Sequence, residues 1–152
     1  MNRKELMLKT TFACMACDGD IAEEEIELLR GLVADTDLFV GLDIEASLKQ
    51  YVDAINQKGA AFLDQYLNEV AVGELSKDEQ MCLVDLAFRT IEANGSIEYS
   101  EVKFFKKIRA RLTLTDEEIL ARYPDKEDFL QPDINVAAKL EWNNATFAAI
   151  TL

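Results

Sequence analysis

Two short segments of the chain place carboxylates and an amide at matching positions. The first is "DGDIAEEE", residues 18–25, and the second is "NGSIEYSE", residues 94–101. Each begins with Asp or Asn followed by Gly, continues to Ile, and ends with Glu seven positions after its first residue. Carboxylate and amide oxygens are the ligands that calcium and magnesium prefer in proteins. The candidate ligands of a divalent ion are therefore Asp18, Glu25, Asn94 and Glu101.

The two glutamates stand out because each interrupts an apolar helical stripe. Glu25 lies four positions from both Ile21 and Leu29, and Glu101 lies four positions before Phe105. A carboxylate on a core-facing stripe is costly unless another group compensates it. That group could be a backbone amide of the glutamate's own turn, a lysine or arginine, or a metal ion, and the sequence leaves all three open.

A backbone clamp is the simplest of these alternatives. A sharp turn between helices commonly needs a left-handed residue, which explains the glycine, and an adjacent Asp or Asn can hydrogen-bond the turn's own backbone. A glutamate that accepts a bond from an amide of the turn would add about 1.5–3 kcal/mol. The clamp and the ion are compatible with each other. The remaining acids of the run, residues 20, 23, 24 and 27, are expected to face solvent.

The first segment resembles an EF-hand loop only in part. If Asp18 is position 5, the glycine and Glu25 fall correctly at positions 6 and 12. Positions 1 and 3 would then be Cys14 and Ala16, which supply no hard oxygen ligand, and the second segment, with Thr90 at position 1, is also incomplete. An EF-hand is therefore not predicted.

The cysteines predict packing rather than chemistry. Cys14 and Cys17 form a C-x-x-C pair at the end of the first predicted helix, where the helix dipole opposes a thiolate. Zinc would need a fourth ligand beyond Cys82, and the chain has no histidine. An odd number of cysteines, with Glu5 and Lys9 interrupting any export signal, favours the reducing cytoplasm.

The charge balance limits the classes of partner. The chain has 29 acidic and 16 basic residues and a formal net charge of −13. Such a surface repels phosphate backbones and anionic lipids, so we expect neither nucleic acid nor membrane surface as a partner and favour cations or a basic protein surface. The basic cluster at 103–111 is interpreted as one helix face. Without histidine, a paired nucleophile or a phosphate-binding glycine loop, no enzyme is predicted.

The spacing of apolar residues and caps predicts an all-α fold without strands. Seven helices are expected, at about 3–17, 22–34, 44–57, 60–70, 77–93, 98–111 and 115–123. Asp43 should cap the third, and capping boxes at Ser76 and Thr115 should open the fifth and seventh. No apolar run is long enough to cross a bilayer.

The chain is expected to form one helical domain over 1–123 and a C-terminal tail over 124–152. The tail has no clean apolar period, but Trp142, Phe147 and Ile150 would be costly to leave in water. We expect it to pack back on the helical body. The alternative is that it docks on a partner or belonged to a further domain.

The two corners belong to a longer internal repeat. Residues 12–32 align with 88–108, with Phe, Gly, Ile and Glu recurring at the same offsets. The doubled D-G-x-I-x-x-x-E corner in an acidic all-helical chain resembles the TerB-like tellurite-resistance family over roughly residues 3–123. Asn94 departs from it where Asp is preferred, and Ala22 and Glu98 depart from it where a capping residue is usual.

The resemblance implies a fold and a class of function. It implies a single bundle of two pseudo-repeated helix-loop-helix halves, a divalent metal held by Asp18, Glu25, Asn94 and Glu101, and association with stress-response or membrane-linked protein complexes. The expected function is a non-enzymatic domain that binds a partner protein, with calcium or magnesium at the corners. The alternatives are a metal-assisted hydrolase that uses the same carboxylates and a metal-free acidic adaptor.

Overall fold

The structure is a computed structural model that describes residues 3–93, 95, 99–130, 147–150 and 152. Its helices are α1 (Arg3–Ala16), α2 (Glu23–Asp35), α3 (Ile44–Lys58), α4 (Ala60–Val72), α5 (Lys77–Glu92), α6 (Tyr99–Arg109), α7 (Asp116–Arg122) and a 3-10 turn (Glu127–Phe129). No strand occurs in these ranges. The all-α fold with seven helices is confirmed, and no helix within the described ranges has the length and apolarity to cross a membrane.

Helix α1 is the centre of the bundle. It packs against α3, α4, α5 and α6, and every residue from Leu6 to Ala16 is buried. The polar residues on this helix are satisfied internally, since the hydroxyls of Thr10 and Thr11 donate to the carbonyls four residues earlier. From Leu6 to Ala16 the helix is therefore buried on all sides and not on one face alone.

Lys9 is the one charged residue within this buried stretch of α1. Its ammonium pairs with the carboxylate of Glu69 on α4 and lies 4.9 Å from the ring centroid of Phe62. A buried charge is tolerated only when it is paired and well packed, and the ion pair and the aromatic ring supply both conditions. Lys9 therefore ties α1 to α4.

The predicted caps are present. The Asp43 carboxylate accepts from the Ala46 amide at 3.1 Å and begins α3. Ser76 and Thr115 each form a reciprocal capping box with the glutamate three residues later, as the sequence predicted. These side chains fix where α3, α5 and α7 begin.

The packing is compatible with the predicted repeat of two hairpins. Helices α1 and α5 make the most extensive contact, α6 packs against α1, and α2 packs against α5. A local twofold axis that exchanges the α1–α2 hairpin with the α5–α6 hairpin would give these contacts. The repeat itself stays a prediction.

Part of the C-terminal tail lies against α3. Phe147 is buried; its amide donates to Asn56 Oδ1 at 2.8 Å, and Asn56 Nδ2 donates to the Phe147 carbonyl at 3.1 Å. Phe129, nearer the start of the tail, packs against the ring of Phe88. Trp142 lies outside the described residues, and the division at residue 123 stays a prediction.

Gln80 joins α5 to the connection between α6 and α7. Its Oε1 accepts from the amides of Thr113 at 2.8 Å and Leu114 at 3.1 Å. Its Nε2 donates to the Leu75 carbonyl and to the Thr113 hydroxyl. The buried Gln80 side chain thus hydrogen-bonds backbone groups of two connections, α4 to α5 and α6 to α7, including the buried amide of Leu114.

We expect Gln80→Met to lower the free energy of unfolding by about 2–3 kcal/mol, because the amides of Thr113 and Leu114 lose their acceptor. Urea denaturation would measure the change. Gln57→Met, at an exposed position of α3, is the matched control and should leave the free energy of unfolding nearly unchanged. Equal stability of the Gln80→Met variant and the unmodified chain would contradict this role.

Candidate functional site

Glu25 is the third residue of α2 and is 4% exposed. The chain reaches it through a sharp corner in which Gly19 has φ of 90°, a conformation that glycine adopts without strain. The Ala22 amide donates to Glu25 Oε1 at 2.8 Å. The backbone clamp predicted for this glutamate is therefore present.

The clamp leaves half of the Glu25 carboxylate without a partner. Ala22 has no side-chain oxygen and cannot return the bond that Ser76 gives in the capping box of α5. Glu25 Oε2 is buried and has no hydrogen-bond partner among the described residues. A buried polar atom in this position is costly unless a proton or a cation compensates it.

Glu101 occupies the matching position on the second hairpin. It is the third residue of α6, is 3% exposed, and follows a corner whose Gly95 has φ of 75°. The charge of Glu101 acts on Glu25 and on the thiol of Cys14. Glu25 and Glu101 are therefore close enough for their charges to interact, near Cys14 at the carboxyl end of α1.

Burial is the main cause of an unusual titration of Glu25. Loss of hydration raises its pKa, the Ala22 amide opposes this, and the charge of Glu101 adds to the rise, so the pKa reaches about 8. Asp18 and Asp20 act in the same direction. Glu25 is thus largely protonated at neutral pH.

Asp18 lies at the surface beside this buried pair. Its Oδ1 accepts from the Asp20 amide at 3.1 Å, and its side chain is exposed. That bond forms a local turn of the kind Asp favours, so Asp18 shapes the corner. Asn94, the fourth predicted ligand, lies outside the described residues.

The residues fit the charge of a divalent ion but complete only part of its coordination. Glu25 and Glu101 would supply two carboxylates, and the orphaned Oε2 of Glu25 is available as a ligand atom. Within the described ranges, no group of three or more Cys, Asp or Glu side chains is arranged to hold a metal. Calcium takes six to eight oxygens, so most ligands would have to be backbone carbonyls or water.

The cysteines beside the pair are buried and free of disulfides. Burial raises the pKa of the Cys14 thiol far above its usual range, and Glu25 and Glu101 add to this effect. Burial likewise raises the pKa of Cys17, whose thiol donates to the Cys14 carbonyl. The packing role predicted for both residues agrees with this environment.

The structure also contains a surface groove, away from the two corners, that the sequence analysis did not predict. An open cavity of about 510 Å³ lies between α1, α5 and the connection of α2 to α3, and we call it the α1–α5 groove. Met7, Leu38 and Cys82 line it. The signal in the sequence was the apolar run "LFVGL" at 38–42, between the second and third predicted helices.

Comparison of the chain with protein-family models, with curated proteins and with solved structures gave no match in any of the three. The TerB-like resemblance therefore stays a prediction based on the two corners.

The titration of Glu25 predicts how stability changes with pH. The unfolded chain releases this proton near pH 4.5, and the folded chain keeps it until about pH 8. The free energy of unfolding should therefore fall as pH rises between these values, by up to about 4 kcal/mol from this group. Urea denaturation in chelator at pH 5, 6.5 and 8 would measure the fall.

Glu25→Gln should remove most of that dependence, because glutamine keeps the acceptor for the Ala22 amide and does not ionise. The exposed Glu117→Gln is the matched control and should behave like the unmodified chain. Parallel pH profiles for the Glu25→Gln variant and the unmodified chain would refute the buried titration.

Thiol reactivity should separate the three cysteines. Cys82 is half-buried, and burial together with Asp85 raises its pKa, so we expect it to react slowly with iodoacetamide at pH 8.5. Cys14 and Cys17 should react only in urea. Mass spectrometry would then find a single adduct on the native protein, whereas modification of either buried thiol without denaturant would contradict the packing role.

Proposed function

We propose that the chain is a non-enzymatic, TerB-like helical adaptor that binds a partner protein and holds a divalent cation between its two corners. The observation that carries the cation is the buried pair of Glu25 and Glu101 with the unpartnered Oε2. Two acids in one core are costly, and a cation would offset both at once. Calcium and magnesium are the ions that match oxygen ligands.

The role of the ion in this proposal is structural. When bound, it neutralises the acids and joins the α1–α2 hairpin to the α5–α6 hairpin. Glu25 and Glu101 hold it, while the Ala22 amide keeps the Glu25 carboxylate in its turn. The TerB-like resemblance adds Asp18 and Asn94 to this set.

The burial of the pair argues against the hydrolase alternative. Glu25 and Glu101 are 4% and 3% exposed, so neither offers a substrate an open face. A hydrolase would need a cleft beside the acids with a free position on its metal. The clamped first corner and the burial of both acids support a structural centre instead.

Partner binding is supported by the charge of the chain and by the α1–α5 groove. A net charge of −13 favours a basic protein surface over nucleic acid. The groove supplies an apolar area that the acidic corners lack. The odd number of cysteines favours the cytoplasm for this adaptor. By the family resemblance, it would work within stress-response or membrane-linked complexes, including those of tellurite resistance.

The metal-free adaptor is the second candidate, and the Ala22 to Glu25 hydrogen bond favours it. That bond, together with the protonation of Glu25, stabilises the first corner without an ion. The two candidates share the partner and differ only in whether a cation binds.

Calcium, magnesium and manganese titrated into metal-stripped protein at pH 8.5 should separate them, because a ligating carboxylate must be ionised. We expect a measurable heat of binding and a thermal midpoint that rises with ion concentration. At a hundredfold excess of ion over Kd, the free energy of unfolding should rise by about 2.7 kcal/mol. A Glu25→Gln, Glu101→Gln double variant should lose both effects.

The matched control is Glu23→Gln with Glu24→Gln, which removes two exposed charges from the same corner. It should bind like the unmodified chain. If all three proteins respond alike at millimolar ion, the cation is bound by the general acidic surface and the metal-free adaptor is the better account.

A further inference from the structure

The α1–α5 groove has an apolar floor. Met7 of α1 is buried at 6% exposure, and Leu38 and Cys82 are half-buried. The connection of α2 to α3 forms one wall. Phe39 anchors that connection in the core, next to Leu38.

The same connection is held from outside by α1. The Lys4 ammonium donates to the Val40 carbonyl at 2.7 Å, and Gly41 turns the chain with φ of 92°. Val40 itself is 58% exposed, which is unusual for a large apolar residue in this protein. The groove is therefore a preformed feature next to exposed apolar surface.

The basic residues at the groove are already engaged within the protein. Arg3 Nε pairs with Glu79 at 2.9 Å, and its guanidinium also donates to the Glu74 carbonyl at 3.1 Å. Lys4 donates to the Val40 carbonyl in the connection of α2 to α3. Asp37 and Asp78 are exposed and make no ion pair with any described residue. Arg3 and Glu79 neutralise each other and Lys4 keeps its positive charge, so with Asp37 and Asp78 the groove carries a net charge of −1.

We propose that the α1–α5 groove binds an amphipathic helix of a partner protein that carries lysine or arginine beside its apolar stripe. The inference rests on the partner-binding function proposed above and assigns it a surface. Apolar side chains at i, i+3, i+4 and i+7 of the partner helix contact Met7, Leu38 and Cys82. Its basic side chains pair with Asp37 and Asp78. The same two aspartates repel nucleic acid and anionic lipid.

Cys82 gives this proposal a direct readout, because it lies in the groove and is the least buried of the three cysteines. The probe is a synthetic helical peptide with leucine at helical spacing and lysine on both flanks of the stripe, labelled for fluorescence anisotropy. A second peptide replaces each lysine by glutamate. The lysine peptide should bind the full chain and slow alkylation of Cys82, and the glutamate peptide should do neither.

Charge reversal tests the contact residues. Asp37→Lys with Asp78→Lys should weaken the lysine peptide about tenfold, the effect of losing two exposed ion pairs. Both side chains are exposed, so the variant should keep its fold by circular dichroism. Asp53→Lys with Glu117→Lys makes the same change in net charge elsewhere and should leave the affinity within about twofold of the unmodified value.

The outcomes distinguish binding of the peptide at the α1–α5 groove from binding of a partner elsewhere on the chain. Equal binding of both peptides, or none of either, would overturn the proposed groove ligand. Binding that leaves Cys82 reactive and is insensitive to the Asp37 and Asp78 reversal would place the partner elsewhere and keep the partner-binding function. A lysine peptide that protects Cys82 and weakens only in the groove variant supports the assignment.

Discussion

The burial of α1 on every side is the constraint on which the rest of the structure depends. A helix without a solvent face has to find partners for each polar group along it inside the protein. Thr10 and Thr11 do this with their own backbone, and Lys9 does it with Glu69. The elements around α1 therefore supply polar partners as well as apolar contacts.

The first corner and the buried Glu101 both lie near the carboxyl end of the same helix. Glu25 and Glu101 are brought to the buried thiols there because both follow a glycine turn and stand third in their helices. An amide, a proton and a cation are the means of keeping Glu25 in this place. The first is present, the raised pKa provides the second, and the third is the proposed function of the site.

Negative charge has different consequences at the two corners and at the α1–α5 groove. At the corners, negative charge is buried and favours a proton or a small cation. At the α1–α5 groove, negative charge stands beside an apolar floor and favours a basic helix. The overall acidity of the chain does not distinguish these two cases. The burial of Glu25 and the exposure of Asp37 and Asp78 are what separate the proposed metal ligand from the proposed partner contacts.

Local features of the sequence predicted most of the fold. Apolar spacing and the caps at Asp43 and Ser76 placed the helices, and the glycine of each corner marked a left-handed turn. The features that were missed depend on distant parts of the chain. The partner of Lys9 is sixty residues away, so periodicity could not reveal why a lysine is buried.

Only part of the candidate site was predicted, because local signals reveal some of its residues and distant contacts decide the rest. Glu25 and Glu101 were found because each breaks an apolar stripe, which is a local signal. The surface position of Asp18 depends on the rotation of its turn, which the spacing of residues does not encode. The anchoring of Phe39 likewise depends on core space left by other helices, so the connection around it resembled an ordinary turn.

Glu25 is buried near a second acid, Glu101, at the end of α1, and we expect it to be protonated when no ion is bound. Carbon-13 NMR of the side-chain carboxyl groups, titrated in metal-free buffer, measures this directly. We expect a midpoint for Glu25 near pH 8, identified by its loss in Glu25→Gln. A Glu25 midpoint near the ordinary value of 4.5 would contradict it.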